Sequence, residues 1–311
     1  MTNALRHFTD LSILTPSIAR ALIDYAKILK ASFKAGKGSK PFIGKTLAMI
    51  FEKPSTRTRI SFDISMRQLG GDTIMLTGSE MQLGHSETIA DTARVLSRFV
   101  DIVILRTTKH QRMLELAQYA QIPVINALTD DTHPCQILAD ILTYEEHRGP
   151  IAGKIFAWMG DGSNVLHSLI EAAALFDFHL RIATPKGSEP QEKFIHWARE
   201  RGAHLTLTHS PQKAAQDADC IMTDTWVSMG QEFRARSHSI FQPYQVNEAL
   251  MKLAKSDALF MHCLPAHRGE EVVDSVIDGP HSVVFDEAEN RLHAQKAILS
   301  WCLQDAFFSP Q

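Results

Sequence analysis

The sequence predicts an α/β protein of two doubly wound domains, each built on a central parallel sheet flanked by helices. Short, continuously apolar runs of strand length alternate with longer segments whose apolar residues recur at helical spacing, a pattern typical of parallel sheets covered on both faces. The chain has 311 residues, and at roughly 150 residues per domain this length corresponds to two domains.

The first half of the chain begins with a helix that Pro16 opens after a Thr15 cap, and Gly36 ends it. The apolar face of this helix is formed by Ile18, Leu22, Tyr25 and Leu29. Strands are then predicted at 46–51, 73–76, 102–105 and 122–127, and helices at 88–99, 113–120 and 134–148. Since helices separate successive strands, the strands are expected to run parallel.

Gly149 and Pro150 break the long helix and mark the predicted domain boundary. Beyond them, strands are predicted at 155–159, 180–183, 205–208, 220–223, 259–262 and 283–285, with helices at 168–176 and 192–201. A final helix is predicted at 288–307. We therefore expect a first domain of residues 1–148, a second of residues 149–287, and a C-terminal segment, 288–311, that returns to the first domain.

Composition excludes several classes of function. Lys and Arg number 32 against 35 Asp and Glu, for a formal charge of −3, whereas nucleic-acid and anionic-membrane binding favour a basic excess. The N-terminus has no apolar signal region, and no apolar run reaches the ~18 residues that a membrane helix needs. Four dispersed cysteines are too few for a disulfide framework. We expect a cytoplasmic protein with neither nucleic acid nor membrane as a partner.

The loop after the first predicted strand has the composition of a phosphate site. It reads Ser55-Thr56-Arg57-Thr58-Arg59 and opens a helix, so that hydroxyls and the N–H groups of the first helical turn face the same point. A guanidinium such as that of Arg57 suits two phosphate oxygens. A capped helix with solvent-facing arginines is the alternative, but two arginines around Thr58 favour an anion site.

Two more strand ends carry polar groups. Arg106 follows the strand at 102–105, and His133 and Gln136 follow the strand at 122–127, where a helix begins. Arg106 alone is better explained as a surface cation, and His133 alone is equally well explained as a helix cap. Because the carboxyl ends of parallel strands meet at one edge of the sheet, we expect Arg57, Arg106 and His133 to converge. Such donors would hold a phosphorylated substrate and stabilise an oxyanion on its carbonyl.

The second domain carries weaker signals. Gly160-Asp161-Gly162-Ser163-Asn164-Val165 resembles a dinucleotide fingerprint, but Val165 replaces the third glycine and the next strand ends without an acid. A nicotinamide site, and with it an oxidoreductase, is therefore disfavoured. Asn164 offers an amide to a polar ligand. Asp224 and Ser228 follow the strand at 220–223 and suit an ammonium and a second polar group, although a strand-end turn is the better explanation of Asp224 from sequence alone.

His262-Cys263-Leu264-Pro265 ends another strand. Neither this His/Cys pair nor the pair of His133 and Cys135 has the spacing of a structural zinc site. A cysteine nucleophile at Cys263 would lack an identifiable orienting partner. We therefore predict no metal and no cofactor.

Taken in order, the motifs 55–59, 133–136, 224–230 and 262–265 closely resemble those of the ornithine carbamoyltransferases, in the aspartate/ornithine carbamoyltransferase family, and the resemblance runs nearly end to end. It implies a carbamoyl-phosphate domain followed by an ornithine domain, in a homotrimer with active sites between subunits. It also implies the reaction of carbamoyl phosphate with L-ornithine to give L-citrulline and phosphate, a step of arginine metabolism.

The resemblance also implies the roles of individual residues. The carbamoyl-phosphate site would comprise Ser55, Thr56, Arg57, Thr58, Gln82 from a neighbouring subunit, Arg106, His133, Gln136, Cys263, Leu264 and Arg291. The ornithine site would comprise Asn164, Asp224, Ser228 and the Met229 backbone. The catalytic groups would be Arg57, Arg106, His133, Asp224 and Cys263.

Transfer to another amine or amino-acid acceptor is the alternative within the family. Aspartate carbamoyltransferases present a lysine from the loop that holds Gln82 here, and residues 77–88 contain neither lysine nor arginine. A dicarboxylate acceptor calls for arginines, whereas Asp224, Ser228 and a cysteine suit an amino group. A binding module without catalysis is the remaining rival, and intact motifs in both domains disfavour it.

Overall fold

The computed structural model describes residues 5–77, 87–226 and 238–304. The chain divides into two compact units: unit 1 comprises Met1–Leu142 and Asn290–Gln311, and unit 2 comprises Thr143–Glu289. The limits of the units fall inside two long helices, α5 (Pro134–Arg148) and α12 (Val284–Leu303). Each unit is a parallel sheet flanked by helices, which confirms the predicted fold class, and the last part of α12 belongs to unit 1, as predicted.

Unit 1 contains four parallel strands in the order β2-β1-β3-β4. They are β1 (Thr46–Phe51), β2 (Asp72–Thr77), β3 (Ile102–Arg106) and β4 (Val124–Leu128). Its other helices are α1 (Pro16–Lys34), α2 (Thr56–Gln68), α3 (Ile89–Phe99) and α4 (His110–Tyr119). The Thr15 hydroxyl caps α1 by accepting a hydrogen bond from Ile18 N, with Pro16 in the first turn.

The central strands of the unit 1 sheet are buried, as their continuous apolar sequences predict, whereas β2 at the edge is half-exposed. Five of the six residues of β1 are buried. One core cluster joins the sheet to α3 and α4 through Val103, Leu105, Leu96, Met113 and Leu116. A short N-terminal segment also lies against β4, where Phe8 N donates to Val124 O and Asn126 N donates to Phe8 O, both at 2.8 Å.

Unit 2 contains five parallel strands in the order β7-β6-β5-β8-β9. They are β5 (Ile155–Met159), β6 (His179–Ala183), β7 (Leu205–Thr208), β8 (Cys220–Thr223) and β9 (Leu259–His262). The helices are α6 (Asn164–Phe176), α7 (Glu192–Glu200), α8 (Pro211–Ala215), α9 (His238–Phe241), α10 (Glu248–Met251) and α11 (Asp274–Ile277). Nearly every residue of α6 is buried, as its apolar composition requires.

The predicted strand at 283–285 is wrong. Its neighbourhood makes a single parallel bridge, between Phe260 and Ser282, and α12 begins at Val284. Asp286 and Glu287 lie in the first turn of that helix, where carboxylates are stabilised by the helix dipole and by N–H groups that lack partners inside the helix. The helix start therefore outweighs the β preference of a Val-Val-Phe run. In the described part of the chain, no helix combines the length and apolar character needed to cross a membrane.

Candidate active site

Each sheet has one point where the strand order reverses, and several of the predicted site residues follow the strands that meet there. In unit 1 this point lies between β1 and β3, and Phe51 pairs with Arg106 across it. In unit 2 it lies between β5 and β8, where Met159 pairs with Thr223. Ligands of open α/β sheets bind beyond the carboxyl ends of the strands at this position, since the connections diverge there and leave a crevice.

The N-terminal turn of α2 lies at the switch point of unit 1. Ser55 is its cap, and the Ser55 hydroxyl accepts a hydrogen bond from Thr58 N at 3.4 Å. The first N–H groups of any helix have no partner within it and carry the positive end of its dipole. This turn therefore presents backbone donors and the Thr56 hydroxyl to the crevice, which is the environment that binds a phosphate.

Thr58 joins two arginines from distant parts of the chain. Its side chain is fully buried, and its hydroxyl oxygen accepts a hydrogen bond from Arg291 Nη2 at 2.6 Å and another from Arg106 Nη1 at 3.3 Å. Both arginines are themselves buried. Two buried guanidinium groups beside one neutral oxygen make this point electropositive, which favours an anionic ligand.

A third arginine adds to this cation cluster, which we define as Arg57, Arg106 and Arg291. Arg57 follows the cap of α2 by two residues. Its Nε is buried, yet it makes no hydrogen bond within the described residues. An ionised donor buried without an acceptor is costly, so a ligand oxygen is the natural partner of this atom.

His133 lies within the field of the cation cluster. Burial lowers its pKa well below the usual value, and the charges of Arg291, Arg106 and Arg57 lower it further. The imidazole is therefore neutral at pH 7, and it offers one N–H donor without adding a charge. A neutral donor among cations suits a carbonyl oxygen that gains negative charge during a reaction.

The helix that follows His133 orients two further groups. Gln136 Nε2 donates to Asp140 Oδ1 at 2.8 Å, so the carboxylate one turn along α5 fixes the plane of this amide. Burial raises the pKa of the Cys135 thiol to about 12, and its Sγ contacts Asn126 O at 3.3 Å. Cys135 is therefore an unreactive core thiol, like the buried Cys220 and Cys302.

Unit 2 brings a carboxylate and a thiol together. β8 and β9 are neighbours, with Thr223 paired to His262, so the next residues, Asp224 and Cys263, follow adjacent strands. Cys263 Sγ lies 3.2 Å from Asp224 Oδ1, which also accepts a hydrogen bond from Thr225 N at 2.8 Å. The carboxylate is mostly buried and suits an amino group.

The loop from β5 to α6 passes close to a neighbouring segment. A Cβ added at Gly162 would lie 2.5 Å from the Glu189 carbonyl carbon and from Pro190 N. A side chain at this position is therefore excluded by backbone. Asn164, the first residue of α6, follows this contact by two residues.

His262 is held by a buried acid that the sequence did not single out. His262 Nε2 lies 3.2 Å from Glu271 Oε1, with both side chains fully buried. Its Nδ1 accepts a hydrogen bond from Leu264 N at 2.9 Å, and Leu264 has a left-handed φ of 55°. The hydrogen bonds at the two ring nitrogens of His262 thus hold the turn that carries Cys263.

Within residues 5–77, 87–226 and 238–304, two groups of side chains bring potential metal-ligand atoms close together. Donor atoms of Asp224, His262 and Cys263 lie within 4.8 Å of one another, as do those of His267, Glu270 and Glu271. Both ring nitrogens of His262 already make hydrogen bonds within the protein, so a metal there would break one of them. The absence of a metal stays a prediction.

The predicted site residues are held by neighbours that the sequence did not indicate. Asp140, Glu271, and the pair of Glu52 with Arg112 were not singled out. Glu271 stands in the charged run 267–271, which reads as solvent-exposed surface, and its burial has no signal in spacing or composition. Gln82, Ser228 and Met229 lie outside the described residues.

Comparison with known proteins covers almost the whole chain. Residues 6–146 match the carbamoyl-phosphate-binding domain of the aspartate/ornithine carbamoyltransferases, and residues 152–302 match their Asp/Orn-binding domain. An ornithine carbamoyltransferase of Brucella ovis is 71% identical over 97% of both chains. One of Rhizobium meliloti is 65% identical over 96% of this chain and 98% of its own.

Solved structures are similarly close. An ornithine carbamoyltransferase from Pyrococcus furiosus has 52% sequence identity and a TM-score of 0.92, with 96% of each chain covered. An anabolic ornithine carbamoyltransferase from Campylobacter jejuni has 37% identity and a TM-score of 0.90, covering 96% of this chain and 99% of its own.

Proposed function

The chain belongs to the aspartate/ornithine carbamoyltransferase family, and from this premise we propose how its residues serve the reaction. It is a transferase that moves the carbamoyl group of carbamoyl phosphate to the δ-amine of L-ornithine, giving L-citrulline and phosphate. The observation that carries the assignment of residues is the cation cluster around Thr58, with the neutral His133 in its field.

Carbamoyl phosphate is assigned to unit 1. Ser55, Thr56, Arg57 and Thr58 would bind the phosphate, which takes the N–H groups of the first turn of α2 and the buried Arg57 Nε as donors. Arg106 and His133 would bind the carbonyl oxygen. Gln136 would bind the carbamoyl amide, and Arg291 would add positive charge beside the phosphate.

Ornithine is assigned to unit 2. Asp224 and Cys263 suit an amino group, because the pair comprises a carboxylate and a thiol at 3.2 Å; a dicarboxylate acceptor such as aspartate would need cations in this position. Asn164 would bind another polar group of the amino acid, and Leu264 would contact the carbamoyl group beside Cys263. Gln82 of a neighbouring subunit, Ser228 and Met229 complete the proposed set.

The chemistry follows from charge. The δ-amine must attack as the free base, although an alkylammonium has a pKa of about 10.4, so that only about 10⁻³ of it is neutral at pH 7. The amine nitrogen bonds to the carbonyl carbon, and the carbon–oxygen bond to phosphate then breaks, with its electron pair leaving on the phosphate. We propose that the departing phosphate takes the proton that the attacking nitrogen loses when the new bond forms. Arg57, Arg106 and His133 stabilise the developing negative charge.

We also propose an oligomeric state and a cellular location. The resemblance supports a homotrimer that works in the cytoplasm, in arginine metabolism. All four cysteines are free thiols, which is in keeping with a reducing compartment. Light scattering coupled to gel filtration tests the assembly: a trimer has three times the mass of the chain, and a single-chain mass would refute it.

The activity is tested by measuring citrulline and phosphate together, with ornithine and aspartate as parallel acceptors. We expect one phosphate per citrulline with ornithine, and little carbamoylated product with aspartate. Phosphate release without citrulline would contradict the transfer, and efficient carbamoylation of aspartate would contradict the choice of acceptor.

A further inference from the structure

An acidic residue lies directly before the turn of α2 that we assign to phosphate. Glu52 directly follows β1, between that strand and the cap of α2. With Ser55, Thr56 and Arg59 it lines one cleft of about 620 Å³ in unit 1. A carboxylate in this position repels an anionic ligand unless its charge is balanced.

Arg112 and Thr107 hold this carboxylate. Arg112 Nη1 donates to Glu52 Oε1 at 2.8 Å, and the Thr107 hydroxyl donates to Glu52 Oε2. The side chains of Arg112 and Glu52 are 25% and 15% exposed, so solvent screens this pair less than it screens a surface pair. The Glu52 backbone also binds β3, since Glu52 N donates to Arg106 O at 3.0 Å.

These contacts join two connections that carry candidate-site residues to the helix α4. Glu52 leads from β1 into the turn with Arg57, Thr107 follows Arg106 directly, and Arg112 lies on α4. The next residue, Lys53, adds a longer contact, with its Nζ 4.0 Å from Asp130 Oδ1 in the loop before His133. The carboxylate of Glu52 is therefore both an anchor between two strand ends and a negative charge that needs a partner.

We propose that Arg112 is a positioning residue for the carbamoyl-phosphate site: it neutralises Glu52 and fixes the connection from β1 to α2, so that the first turn of α2 accepts a phosphate. Arg112 is not among the residues that line the cleft beside this turn. The inference rests on the proposed function, because it takes the first turn of α2 as the phosphate site of that reaction.

The test measures binding of inorganic phosphate by calorimetry in four full-length proteins: wild type, Arg112→Met, Arg94→Met, and the double variant Glu52→Gln with Arg112→Met. Arg94 is the matched control, since it pairs with Asp91 on α3 and both side chains are more than half exposed. We expect Arg112→Met to raise the Kd for phosphate about tenfold, or about 1.4 kcal/mol. The double variant should recover most of this loss, because no unbalanced carboxylate remains. Arg94→Met should bind like the wild type.

Two further measurements, the salt dependence of phosphate binding and the steady-state KM values, would not change in this way if Arg112 had only a structural role. The loss in Arg112→Met should shrink as ionic strength rises, because salt screens the Glu52 charge. In steady state, the KM for carbamoyl phosphate should rise while the KM for ornithine at saturating carbamoyl phosphate stays the same. If Arg112→Met does not fold, Arg112→Lys keeps the charge and should bind phosphate like the wild type.

The outcomes separate this inference from the proposed function. A double variant as weak as Arg112→Met, an unchanged phosphate Kd in Arg112→Met, or tenfold weaker binding in Arg112→Lys would each overturn the role of Arg112. Absence of citrulline formation by the wild type would overturn the proposed function alone, because phosphate binding is measured without turnover.

Discussion

Replacing Thr58 by valine is the most direct test of the cation cluster. The substitution keeps the shape of the buried side chain but removes the oxygen that accepts hydrogen bonds from Arg291 at 2.6 Å and from Arg106 at 3.3 Å. The backbone role of Thr58 is unchanged, since its N–H and not its hydroxyl binds Ser55. The variant therefore isolates one acceptor.

The magnitude follows from the two distances. A hydrogen bond from a charged donor contributes about 1.5–3 kcal/mol, and the bond at 3.3 Å is beyond the best range, so it counts for less. We take about 2–3 kcal/mol as the loss of transition-state stabilisation when both guanidinium groups lose this anchor. At about 1.4 kcal/mol per factor of ten, kcat/KM for carbamoyl phosphate should fall about 30- to 150-fold.

The assay is citrulline formation with carbamoyl phosphate varied at saturating ornithine, alongside thermal unfolding of each variant. Thr58→Ser keeps the hydroxyl and should retain kcat/KM within about fivefold of the wild type, a loss of about 1 kcal/mol or less. Near-normal activity in Thr58→Val, or equal losses in the serine and valine variants, would show that the hydroxyl does not organise the arginines.

Four further predictions concern pH, the acceptor site and the fold. First, kcat/KM for ornithine should climb between about pH 6 and 8, because the free amine is the reactant; a flat profile would contradict this. Second, burial and the neighbouring arginines lower the pKa of His133, so below about pH 6.5 the unfolded chain binds a proton that the folded chain does not. Stability should fall there by up to about 1.4 kcal/mol per pH unit in urea titrations, and less steeply in His133→Gln. Third, Asp224→Asn should raise the KM for ornithine about 10- to 100-fold, or about 1.4–2.8 kcal/mol, and leave the phosphate Kd unchanged. Fourth, Gly162→Ala should cost about 1–3 kcal/mol of unfolding free energy, because its Cβ meets backbone.

The last three predictions have outcomes that would contradict them, and the Gly162 prediction has a matched control. An acid slope in His133→Gln as steep as that of the wild type would show that His133 is not the group involved. Asp224→Asn with an unchanged KM for ornithine would remove the carboxylate from the acceptor site. Gly38→Ala is the control for Gly162, since the nearest atom to its added Cβ is 3.7 Å away; equal unfolding free energies for the two variants would contradict the steric reasoning.

Local physics explains why much of the fold was predictable. Apolar runs such as β1 and β5 have the bounds that the sequence predicts, because a strand buried on both faces must be apolar at every position. The start of α2 was predictable for a similar reason, since Ser55 caps it through its own hydroxyl. The run 283–285 failed because its residues favour a strand, whereas the acids that follow it favour a helix start.

Parallel topology also made part of the site predictable. Once β1 and β3 are parallel and adjacent, the residues that follow them must lie at one edge of the sheet, and this brings Arg106 towards the turn that begins α2. The residue types alone show whether a loop carries a guanidinium or a carboxylate group. The sequence by itself therefore determined the fold class and the family, whereas the kind of ligand at each strand end stays a proposal.

Only the tertiary structure decided which partners hold those groups. Arg291 contacts Thr58 from 233 residues further along the chain, Glu271 lies fully buried against His262, and Arg112 balances Glu52 from a different helix. The physical reason is that these bonds join side chains whose separation along the chain sets neither their distance nor their burial. A charged residue looks the same in sequence whether it faces water or a buried partner, and the packing of the elements decides between the two.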